Sequence, residues 1–190
     1  MKLFFASFFI LSLCGYANAY EEEVKLQNAG EIAKEVKFEF DKFERVSRYT
    51  GPTYIEGKYG NAFYHAVHLR AFSRAKLPIS YQIYVTTYYT DSSWMRYRNA
   101  FDDHGARLSF TAIDYSVDTS EAFNRVYKVE DFALNVSRNY LERLAKRPSS
   151  EFKITGPGGS MGFELPGSYV EGFLRGMTEA KGRASGTTID

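Results

Sequence analysis

Between residues 63 and 71 the side chains alternate without a break. Phe63, His65, Val67, Leu69 and Ala71 fall on one side, and Tyr64, Ala66, His68 and Arg70 on the other. Residues two apart share a face only in extended backbone, so this run commits the middle of the chain to sheet. Residues 79–89 follow, dense in Tyr, Ile, Val and Thr, which suit a pleated, half-buried surface. Upstream, Val36, Phe38 and Phe40 alternate with Lys37, Glu39 and Asp41. Gly51-Pro52 breaks the chain before a short edge strand at Tyr54, Ile55 and Glu56. Asp102-Asp103-His104-Gly105 has turn chemistry and leads into a strand over residues 107–117. Consecutive strands joined by turns predict an antiparallel meander.

Helical spacing appears at both ends. Glu31, Ile32 and Ala33 suggest a short helix after Gly30. Over residues 130–146, Phe132, Ala133, Val136, Tyr140 and Leu144 recur at helical intervals until Pro148. Residues 152–154 and 163–165 form a predicted hairpin around a glycine-rich turn. Ser168 and Glu171 have capping-box spacing, and Val170, Phe173, Leu174 and Met177 make an apolar stripe behind them. Gly172 and Gly176 each cost that helix about 1 kcal/mol relative to Ala; their small size fits a close approach to a strand. The expected fold is α+β: a mainly antiparallel sheet, a meander, with two helices of the C-terminal half packed on it. No Pro/Gly/Ser linker divides the chain, so residues 20–180 are expected to form one domain, with 181–190 a flexible tail.

The N-terminus has the pattern of an export signal. Lys2 is followed by an almost uninterrupted apolar run over residues 3–13, and Ala17-Asn18-Ala19 supplies the small residues that a signal peptidase requires. The run is shorter than the roughly 20 residues needed to span a bilayer. Cleavage after Ala19 would remove a signal peptide of residues 1–19 and place the protein in the periplasm or outside the cell. It would also remove Cys14, the only cysteine, leaving no disulfide, no thiolate metal site and no cysteine nucleophile. A rival reading retains that thiol. Leu11-Ser12-Leu13-Cys14 resembles a bacterial lipobox, which implies a lipid anchor through Cys14, although Leu13 stands where a small residue is usual.

Charge and motifs narrow the function. The chain carries 24 Lys+Arg against 23 Asp+Glu, a balance that argues against nucleic acid as a partner. Gly158-Gly159-Ser160-Met161-Gly162 matches the nucleophile-elbow pattern, but a strand and Pro166 follow it instead of a helix, and no histidine comes after His104. The order His65 or His68, Asp102 or Asp103, then Ser160 resembles that of trypsin-like serine proteases, without their residues around the serine. The same glycines lack the spacing of a dinucleotide or phosphate loop, so no cofactor is expected. His65 and His68 point to opposite faces of a strand and cannot chelate one ion together. Asp102, Asp103 and His104 read as turn residues, and no metal site is expected.

The residues that point to recognition are aromatic and basic. Tyr84, Tyr88, Trp94, Arg96, Tyr97 and Arg98 lie in one strand-and-turn region with little acid before Asp102. Tyr and Trp bring a large apolar body with a polar tip, and Arg a planar donor fork. The expectation is therefore a non-catalytic exported protein, a binding or envelope-assembly module, contacting protein or glycan of the cell envelope through these six residues. Two alternatives stand beside it: a secreted serine hydrolase using Ser160, His68 and Asp102, and an inhibitor or immunity-type partner of a secreted enzyme.

Overall fold

The computed structural model describes residues 28–56, 63–74, 77–120 and 124–186. The signal peptide of residues 1–19, the Leu11–Cys14 alternative and the last residues of the tail lie outside them. Ten strands and three helices follow in chain order among the described residues. They are α1 (Ala29–Glu35), β1 (Lys37–Asp41), β2 (Val46–Thr50), β3 (Tyr54–Glu56), β4 (Phe63–Arg74) and β5 (Ser80–Tyr89). After these come β6 (Asn99–Asp102), β7 (Arg107–Ser120), β8 (Arg125–Val136), α2 (Arg138–Leu144), β9 (Ser149–Gly156), β10 (Gly159–Pro166) and α3 (Gly167–Gly186).

The sheet is antiparallel throughout, in the order β1-β2-β4-β5-β8-β7-β6-β9-β10, with β3 beside β4. The meander order holds from β1 through β5. After β5 the chain crosses before β6 forms, and β7 and β8 return so that β8 pairs with β5 while β9 takes the other side of β6.

The alternation over 63–71 has the predicted consequence. Val67, Leu69 and Ala71, with Ile83 and Val85 of β5 and Phe132 and Leu134 of β8, fill an inner face covered by β9, β10 and α3. His65 and Thr87 also point inward, and the Thr87 hydroxyl donates to the Met161 sulfur at 3.5 Å. Burial pushes His65 down to about 4, with a backbone hydrogen bond to Gly162 acting in the other direction. Tyr169 of α3 reaches the seam between β2 and β3. Its hydroxyl accepts from the Leu69 N–H at 3.1 Å and donates to the Pro52 carbonyl at 2.5 Å, standing in for strand backbone where the ladder is interrupted.

Three local expectations are corrected. Residues 130–136 are the end of β8, and α2 is only Arg138–Leu144, capped by Ser137, whose oxygen accepts from the Tyr140 N–H. Phe132, Ala133 and Leu134 are all buried, and a strand covered on both faces makes the same apolar run as a helix. Ser168 lies inside the first turn of α3, which begins at Gly167, so it is not the cap. Gly172 and Gly176 face α1, not a strand: a Cβ at either position would collide with the Ala29 or Ala33 carbonyl and with Ile32 or Val36. The expected short helix at Glu31 is α1, closed by a reciprocal Asn28–Glu31 capping box.

Candidate functional site

The sheet has an outer face as well as an inner one, and the residues expected to form one surface divide between them. Tyr84 and Tyr88 occupy even positions of β5 and point outward. Tyr84 stacks on His68 at 4.6 Å between ring centroids, and the Arg70 guanidinium sits 4.0 Å above its ring. Burial, with Asp131 beside it, pushes the Tyr84 hydroxyl up to about 12. Burial and the Arg70 charge hold His68 down at about 4. Arg70 also starts a side-chain relay across four strands. Its Nε donates to Gln82 at 2.8 Å, Gln82 to Asn135 at 2.7 Å and Asn135 to Thr111 at 2.9 Å. Tyr88 stacks flat on Tyr64, 4.5 Å between centroids, with Tyr127 set edge-on to both.

Trp94, Arg96 and Arg98 lie on the other side. The segment 94–98 leaves the top of β5, crosses the inner face and runs along the β9–β10 turn. The Arg98 N–H donates to the Thr155 carbonyl at 2.9 Å, and the Gly158 N–H to the Met95 carbonyl at 3.0 Å. Here glycine is required by space, because a Cβ on Gly156 or Gly158 would strike the Met95 or Trp94 carbonyl. Tyr97 points down, 1% exposed, with its ring against Phe132 at 5.8 Å. It belongs to the core, and only its neighbours face solvent.

The segment is held from beneath by a carboxylate. Glu130 of β8 is 2% exposed, and no cation pairs with it among the described residues. Its oxygens accept from the Arg96 N–H at 2.8 Å, the Tyr97 N–H at 3.1 Å and the Tyr89 hydroxyl; that hydroxyl in turn accepts from the Met95 N–H at 3.0 Å. Arg96 has a left-handed backbone, φ 51°, which turns successive N–H groups toward one anion. Burial and the Glu130 bond both hold the Tyr89 hydroxyl protonated, well above the ordinary phenol range.

The upper side of this segment forms one wall of a groove of about 450 Å³ lined by Trp94, Arg96, Arg98 and Tyr115. Trp94 meets Tyr89 and Tyr115 edge-on, at 6.5 and 5.9 Å, and the Lys128 ammonium lies 5.7 Å from its ring centroid. Lys128 is anchored by the carbonyls of Asp91 and Ser92. Among the described residues the Arg96 and Arg98 side chains have no ion-pair partner.

Tyr115 enters the groove because β7 is bulged. Ala112 opposes Phe132, but Asp114 opposes Asp131, so Ile113 is an extra residue. Were Ile113 paired in a continuous ladder, Tyr115 would oppose Val129 and point outward; with Ile113 bulged out, Tyr115 opposes Glu130 and points in. Neither Tyr115 nor Glu130 was among the residues expected from sequence. The available signal was the pair of acids Glu130 and Asp131 next to the apolar residues Val129 and Phe132 to Leu134, and nothing in the sequence distinguishes the buried one from the other.

Ser160, His68 and Asp102 do not come together. Ser160 and Asp102 border a second cleft of about 350 Å³ with Glu151 and Lys153, and no histidine lines it. His68 lies on the outer face of the sheet, whereas β10 packs against the inner one. The Asp102 carboxylate is occupied, accepting from the His104 and Ala106 N–H groups and the Tyr140 hydroxyl. Asp103 is bound by Arg147. Among the described residues no cluster of three or more metal-ligating side chains occurs, and no helix is long and apolar enough to cross a membrane. No protein-family model matches the chain, and no curated protein or solved structure is significantly similar to it.

Proposed function

We propose that the protein is an exported binding module that acts without covalent chemistry and grips an anionic partner in the Trp94–Arg96–Arg98–Tyr115 groove. The observation that carries this reading is a pair of guanidinium groups, without an ion-pair partner among the described residues, beside two aromatic rings. They stand on a backbone fixed by the buried Glu130 carboxylate. Arginine next to aromatic area is the composition of recognition hot spots, and a backbone already fixed loses little entropy on binding. The Glu130 oxygens are taken up by the backbone above them, and among the described residues no ion pair joins Glu130 to either arginine. Export rests on the pattern of residues 1–19, and it directs the search for a partner to proteins or glycans of the cell envelope.

The experiment is capture of envelope components by the purified protein and by Trp94→Ala and Arg96→Ala/Arg98→Ala variants. Arg96 and Arg98 are exposed, so the arginine variant should melt at the parent temperature, whereas Trp94 is half-buried against Tyr89 and Tyr115 and Trp94→Ala should melt about 2–4 °C lower and stay folded. Capture by both should fall about tenfold or more. Equal capture by folded variants would refute the assignment. A serine-reactive phosphonate that labels the parent but not Ser160→Ala would replace it with the hydrolase reading.

A further inference from the structure

Assuming that the groove is the binding site, we propose that its partner is an extended, acidic peptide segment that adds as a strand to the free edge of β7. β6 and β7 pair only at Ala100 with Leu108 and Phe101 with Arg107. Upstream of Asn99 the chain departs from β7 toward the β9–β10 turn, while β7 continues to Ser120. The two therefore diverge like the arms of a fork. From residue 109 to 120, β7 has β8 on one side and no strand on the other among the described residues. The groove is the mouth of the fork.

That edge lacks several ordinary defences. Exposed edges are blunted by charged side chains, above all lysine, by proline or by a covering element. Residues 109–120 contain no Lys, Arg or Pro, and their two acids, Asp114 and Asp118, both stand on the outer face. Ile113, Tyr115 and Val117 are instead 43%, 45% and 59% exposed. The bulge at Ile113, elsewhere a blunting device, here turns Tyr115 toward Trp94.

Charge selects the occupant. A strand laid in the fork would have β7 backbone on one side and Arg96 and Arg98 on the other, with Arg107, bonded to the Asn99 side chain at 2.7 Å, at the closed end. Its side chains would alternate between faces. Those on the inner face meet guanidinium groups and should be carboxylates. Those on the outer face pass Asp114 and Asp118, which share that face with Asp131 and Tyr127, and should not be acidic. The recognised pattern is acid at every second position, with neutral β-formers between.

Trp94 is the only tryptophan, so its emission reports on the groove directly. The probe is a capped peptide of five Glu-Thr repeats added to the full chain, compared with Gln-Thr and Lys-Thr repeats of the same length. Two backbone N-methylated forms are included, one methylated at every Glu and one at every Thr. The Glu-Thr peptide should shift Trp94 emission at concentrations about tenfold lower than either control, and it should slow amide exchange over residues 109–120. One of the two N-methylated forms should fail to bind, because alternate N–H groups of a strand face one edge. Binding that survives both methylation patterns and leaves exchange over 109–120 unchanged would overturn strand addition while keeping the groove as the site. If polygalacturonate shifts Trp94 and no peptide does, the partner is an acidic glycan, and this inference falls while the proposed function stands. If neither class of anion perturbs Trp94, both fall together.

Discussion

Glu130 shows how a single side chain can set a surface that it never reaches. A buried carboxylate without a cation is costly unless its lone pairs are filled. Two backbone N–H groups and a phenol fill them here, and the consequence is a fixed arch over residues 94–98. Glu130→Gln places an amide NH₂ where an N–H already points, so it should cost about 2 kcal/mol in urea unfolding and loosen the arch, shifting Trp94 emission to the red. The histidines act through pH. His65 and His68 are held near 4 in the folded chain against an unfolded value near 6.5. Between those values the unfolded chain binds more protons, so stability should be full above about pH 6.5 and decline as pH falls toward 4. The slope should approach about 1.4 kcal/mol per pH unit for each histidine. In thermal melts from pH 7 to pH 5, His65→Phe should remove about half of that slope.

Among the elements, β7 carries the arrangement that decides the site. One extra residue at Ile113 flips the facing of everything beyond it, bringing Tyr115 in and sending Asp114 and Asp118 out. Tyr115→Ala removes the ring that the bulge presents while leaving the pairing of β7 with β8 in place. The expected result is a folded protein, with far-ultraviolet circular dichroism unchanged, whose Trp94 has lost its edge-on ring and whose groove binds at least about tenfold more weakly. Retention of full binding would separate Tyr115 from the site. The helices contribute differently. α3 lies against α1 through Gly172 and Gly176, and it pins the β2–β3 seam through Tyr169. These contacts hold the cover of the inner face and leave the β7 edge untouched.

At the scale of the whole molecule, a net charge of +1 hides local imbalances: among the described residues Arg96 and Arg98 have no ion-pair partner at the groove, while Asp114 and Asp131 stand opposite each other on the outer face. Binding of an anionic partner should therefore weaken as salt rises from 0.05 to 0.5 M, by about tenfold or more where the contacts stay solvent-exposed. Salt-independent affinity in a titration followed by Trp94 emission would mean that the aromatic rings carry the binding. Much of this architecture was legible in the chain. Alternation over 63–71 and the β-favouring composition of 79–89 mark two strands, Glu31, Ile32 and Ala33 mark α1, and Gly105 marks the β6–β7 turn, because each of these is decided by residues within a few positions of one another. Residues 130–136 were not legible, since a strand buried on both faces and a helix leave the same apolar trace. Nor was the site. Tyr84 and Trp94 are close in sequence but face opposite ways. Tyr115 depends on a bulge that only its pairing with β8 defines, and Glu130 becomes a backbone anchor only when β8 lies under the arch. Local periodicity determined the strands; the assembled sheet alone decided which side chains met, because facing and register are properties of paired strands.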